Sequence, residues 1–84
     1  MPGRPGKVLL FVRMLFAVAR EMRAEGWADK PFDASLTEFL RRVMERGQSV
    51  GIDIDEIIDL IEQLMPLILM ILEVILGLFA KPPQ

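Results

Sequence analysis

Cysteine and histidine are both missing from this 84-residue sequence, and each absence closes a class of chemistry. Without cysteine there is no disulfide framework and no thiolate to act as nucleophile or ligand. Without histidine the commonest metal ligand and general base is gone. No Ser–His, Cys–His or paired-carboxylate arrangement exists, so catalysis has no candidate residues and no cofactor is implied. A basic excess is missing as well. Ten Lys and Arg stand against twelve Asp and Glu, for a net charge of −2 and a pI near 5.0, which leaves no electrostatic footprint for nucleic acid. Nor does any stretch alternate polar and apolar residues as a half-buried strand would.

What the chain has in quantity is apolar surface. Hydrophobic residues make up 52% of it and the mean hydropathy is +0.38, values that point away from disorder and from an ordinary soluble monomer. A chain of this length forms one domain at most, with a core that is only marginally stable by itself. The six methionines read as adaptable core filler. The start, MPGRPGKVLLFVRMLFAVAREM, has the basic-then-apolar order of a signal peptide. Arg13 interrupts its apolar block, however, and Arg20, Glu21 and Arg23 stand where a cleavage site would be.

The pattern predicts an all-α fold of three helices. The first spans about 7–25 and stops at Gly26, with Trp27 folding back as the accompanying contact. A linker covers 26–34, because Pro31 pushes Lys30 into an extended conformation. The second, an amphipathic helix over about 35–46, opens with a Ser35–Glu38 capping box. Leu36, Phe39, Leu40, Val43 and Met44 form its apolar face, and Glu38, Arg41, Arg42, Glu45 and Arg46 its solvent face. Residues 47–51 read as a flexible turn. The third helix, about 53–79, has Asp53 as N-cap, Glu56 closing a second capping box and Ile52 stapled to Ile57. At 1.5 Å per residue it is roughly 40 Å long. Residues 80–84 form a short tail in which Lys81, Pro82 and Pro83 stop the helix.

Residues 64–80, LMPLILMILEVILGLFA, carry a single charge, Glu73. On a helical wheel one narrow stripe of the third helix is not aliphatic: Asp59, Glu62, Pro66, Glu73 and Gly77, with Met70 between. A helix apolar nearly all round must be surrounded, by protein or by lipid. The first helix repeats the problem, with Arg13 and Arg20 on one stripe of an otherwise apolar block. A span needs ~20 apolar residues with ~17 as the lower limit, so 64–80 only reaches that limit. The arrangement expected from these facts is a hairpin of the first and third helices run antiparallel. It brings Arg13 level with Glu73 as a buried ion pair, which costs far less in a low dielectric than either charge alone. Trp27 then suits the headgroup level as an interface anchor, and Pro66 and Gly77 are the candidate helix-packing positions.

In outline, a small helical hairpin with a mid-helix carboxylate resembles the proton-carrying ring subunit of rotary ATPases. VLLFVRMLFAVA lacks that family's repeated glycines, and the linker holds a helix of its own. The functional expectation is therefore a small membrane-embedded structural or assembly subunit without catalytic activity, packing with copies of itself or other helical membrane subunits in a lipid bilayer, in a larger complex or a membrane-containing virion. The alternative is a soluble, cytoplasmic, obligate helical oligomer serving as a scaffold or adaptor.

Overall fold

Helix punctuation decides the architecture. The computed structural model describes residues 6–77, and they form four α-helices: α1 (Gly6–Ala24), α2 (Phe32–Ser49), α3 (Ile54–Gln63) and α4 (Met65–Leu76), with a 3-10 turn at Trp27–Asp29 between the first two. The fold is all-α. α1 ends at Ala24, Gly26 just beyond it takes the left-handed conformation, and Trp27 packs back on the core. Lys30 is extended, as a residue before proline must be. α2 then begins directly after Pro31, a turn earlier than the sequence pattern suggests, and runs through Gly47 to Ser49.

The expected third helix is two helices. Pro66 has no N–H to return to the carbonyl of Glu62, and its ring crowds that carbonyl. The chain answers by breaking at Leu64, whose backbone (φ −101°, ψ 13°) is neither helical nor extended, and restarting with Pro66 as the second residue of α4. α4 ends at Leu76, because Gly77 is left-handed and its N–H donates back to the Glu73 carbonyl at 3.0 Å. The expected continuation to Phe79 and the Lys81–Pro83 stop lie outside the described residues. α4 has 12 residues, about 18 Å of helix against a hydrocarbon core of about 30 Å. Among the described residues no helix is long and apolar enough to cross a membrane.

The break leaves the apolar register intact. Ile57, Leu60 and Ile61 of α3 and Ile68, Ile71, Leu72 and Leu76 of α4 are all buried in one core. The two helices thus act as one bent rod beside α1 and α2, and α1 supplies Phe11, Leu15, Val18 and Met22 while α2 supplies Phe39 and Val43, all fully buried. Gly47 allows the closest approach. A Cβ there would lie 2.7 Å from the Ile57 Cδ1 and 3.1 Å from its Cγ1, so the α2 backbone is notched where α3 crosses it.

The direction of the rods overturns the expected hairpin. Arg42 meets Glu25 and Arg46 meets Glu21, so α2 runs antiparallel to α1. Lys7 at the start of α1 meets Glu56 at the start of α3, while Arg20, Arg23 and Ala24 at the end of α1 share a groove with Ile75 at the end of α4. α1 and the α3–α4 rod are therefore parallel. Two short reversals along the chain must restore the starting direction, because α2 is a full member of the bundle and does not lie across its end.

Candidate functional site

Between α1 and α2 the charged residues form a ladder. Glu21 and Glu25 stand four apart in the sequence, as do Arg42 and Arg46, which is the match two antiparallel helices need. Arg42 makes a bidentate contact with Glu25 (2.7 and 3.0 Å) and also reaches Glu38 (2.6 Å); Arg46 donates to both oxygens of Glu21 (2.7 and 2.9 Å). Arg41 bridges Glu38 and Glu45, each at 2.6 Å. The guanidinium of Arg41, followed by that of Arg42, holds the Glu38 carboxyl down from 4.5 to about 2. Arg42 chiefly lowers Glu25 in the same direction, and its own proton is held more firmly in return, first by Glu25 and then by Glu38. Arg41, Arg42 and Arg46 line a polar groove with Glu21, Glu45 and Ser49. Each guanidinium there already faces a carboxylate, so the groove has no spare positive charge for an anion.

The sequence pattern assigns Arg41, Arg42 and Arg46 to solvent. Arg42 and Arg46 instead tie α2 to α1, and the matched four-residue spacings were the signal for it. The capping boxes fail for a related reason. Ser35 lies inside α2, fully buried, and its hydroxyl donates to the Trp27 carbonyl at 3.3 Å, while Glu38 belongs to the ladder. Asp53 does occupy the N-cap of α3, but its side chain makes no cap hydrogen bond, and Glu56 accepts from Lys7 at 2.8 Å.

The singled-out positions fare as follows. Arg13 and Glu73 are both exposed, and neither joins an ion pair among the described residues. With Lys7 beside Glu56 and with Arg20, Arg23 and Ala24 beside Ile75, the parallel rods set Arg13 and Glu73 on the order of 10 Å apart along the axis. The expected intrachain pair is not formed among the described residues. Trp27 is half-buried and closes the α1–α2 turn. Its indole N–H donates to Glu25 at 3.2 Å, and the Lys30 ammonium sits 5.6 Å from the ring centroid. Pro66 is exposed and breaks the rod. Gly77 caps α4, and among the described residues a Cβ there would meet nothing within 4 Å. The packing glycine is Gly47, which the turn-like composition of 47–51 concealed.

The remaining surface is sorted. Among the described residues Arg13, Arg20 and Arg23 on α1 are exposed, lie outside the ladder and join no ion pair, and Asp55, Asp59, Glu62 and Glu73 on the α3–α4 rod are exposed and join none. Apolar side chains are interleaved with them: Leu9 (54% exposed) and Leu10 (42%) on α1, Ile58 (43%), Met70 (51%) and Val74 (73%) on the rod. Intrachain packing hides more of α4 than its all-round apolar character suggested, but this outer stripe stays open. Among the described residues no three carboxylates converge to hold a metal ion. Compared with family models, curated proteins and solved structures, the chain finds no match.

Proposed function

We propose that this chain is a non-catalytic assembly subunit, a small helical body that works by associating with other helical subunits through the outer faces of α1 and the α3–α4 rod. The observation that carries this reading is the set of large apolar side chains left open there, with Val74 at 73% and Leu9 at 54% exposure, flanked by charges without partners. Scattered exposed apolar residues are ordinary, whereas apolar residues gathered among unpaired charges of opposite sign on two adjoining rods describe a surface that awaits another one. The ladder between α1 and α2 serves to hold that surface in shape.

A second reading, a membrane-embedded subunit of a larger complex or membrane-containing virion, is favoured by α4, in which Glu73 is the sole charged residue. In that reading lipid covers Met70 and Val74, and Trp27 sits at the headgroup level. One experiment addresses both. The chain is expected to be multimeric by native mass measurement in buffer and in mild detergent, and a monomer in both would remove the association reading. Membrane fractions from the same preparation are washed with alkaline carbonate; complete release of the chain would remove the embedded reading and leave the first.

A further inference from the structure

The charges left outside ion pairs are complementary to each other, and none of them meet among the described residues. α1 offers three cations and the parallel rod offers four carboxylates. A partner suited to this face carries an anionic stripe beside a cationic one. A second copy turned end over end has that surface, and a two-fold axis makes such a contact self-complementary. We propose that two copies of this chain associate antiparallel, the outer stripe of α1 in each lying along the outer stripe of α3–α4 in the other, with Arg13 paired to the partner's Glu73.

The Arg13–Glu73 pairing sets the register. With Lys7 beside Glu56 and with Arg20, Arg23 and Ala24 beside Ile75, it places the two-fold axis across the molecule near Val18. The same reversal sets half-buried Val12 against the partner's Val74 and half-buried Phe16 against the partner's Met70. It also brings Arg23 beside the partner's Glu62. Apolar side chains of α1 thus meet apolar side chains of the rod, with two pairs of opposite charge beside them. Pro66 falls opposite Arg20. The antiparallel relation that a single chain cannot give its own Arg13 and Glu73 is available between chains. This inference rests on the association reading and adds to it the partner, the face and the register.

The test uses the full chain, with Arg13→Glu and Glu73→Arg made separately. Both positions are exposed, so each variant is expected to keep wild-type helicity by circular dichroism. Sedimentation equilibrium of the wild type is expected to show a dimer. Each variant alone sets like charges against each other twice per dimer and is expected to raise the dissociation constant at least tenfold. An equimolar mixture of the two is expected to recover dimerisation as a heterodimer, since Glu at 13 then faces Arg at 73 and the reverse pair is Arg with Glu. Single variants that associate like the wild type would overturn the proposal and leave the association reading standing on another face. Variants that weaken association without recovery on mixing would overturn the antiparallel register. A wild type that stays monomeric at high concentration in low salt would remove both.

Discussion

Ile57 fills the notch that Gly47 leaves in α2, and two opposing energies meet at that contact. Alanine is the better helix former by about 1 kcal/mol, but its Cβ would stand 2.7 Å from the Ile57 Cδ1. Overpacking of this kind costs about 1–3 kcal/mol. Gly47→Ala is expected to lower the urea midpoint in the wild-type background. In an Ile57→Val background, where that terminal methyl is gone and only the 3.1 Å approach to Cγ1 is left, the same change is expected to lower the midpoint less. An effect of equal size in both backgrounds would show that the contact with Cδ1 does not limit the site. Glu38 offers a second measurement at this scale. Its folded-state acidity, about 2 against an ordinary 4.5, means that the folded chain releases this proton more readily than the unfolded one. Its contribution is therefore fully present above about pH 4.5 and declines as pH falls from there through about 2. Glu38→Gln is expected to flatten the acid limb of stability against pH in that interval, as read from urea midpoints. An unchanged limb would show that the Arg41–Glu38–Arg42 cluster is too solvated to matter.

The break at Leu64 is the element-scale feature with the clearest cause. If Pro66 alone enforces it, Pro66→Ala lets residue 66 donate to the Glu62 carbonyl and joins α3 to α4. The apolar positions on both sides already face one core, so the joined helix keeps its buried side. The variant is expected to gain about 1 kcal/mol or more, toward the ~3 kcal/mol of an interior proline, with new hydrogen-exchange protection at residue 66. A loss of stability would mean that the bend is needed to follow α1. Much at this scale was legible in the sequence. The all-α class, the α1 stop at Gly26, the extended Lys30 and the buried face of α2 follow from local chemistry, which needs only neighbours along the chain. The capping boxes and Gly47 were misread because their local meaning lost to tertiary contacts: Ser35 has a carbonyl to reach in the turn before it, Glu38 has two arginines, and Gly47 has Ile57. Such competition is decided by residues far away in sequence.

At the scale of the molecule, what the sequence pattern concealed was direction. The apolar content of α1 and α4 showed that they would pack together, and periodicity carries no information on whether two helices run parallel or antiparallel. The role of α2 settles that: α2 buries Phe39 and Val43 in the bundle and sets Arg42 and Arg46 against Glu25 and Glu21 of α1. Arg13 and Glu73, expected as a pair within the chain, are both exposed and join no ion pair among the described residues.

The parallel course of α1 and α4 also determines how the body bears a load. Traction on Gly6 and Gly77 pulls the two rods in opposite senses along their common length, since those residues lie at opposite poles. The contact between them is then sheared, and its buried side chains from Phe11 to Met22 resist together. A hairpin held by the same two ends would be peeled open one turn at a time. Gly6 and Gly77 thus stand on opposite sides of a strut that yields as a whole.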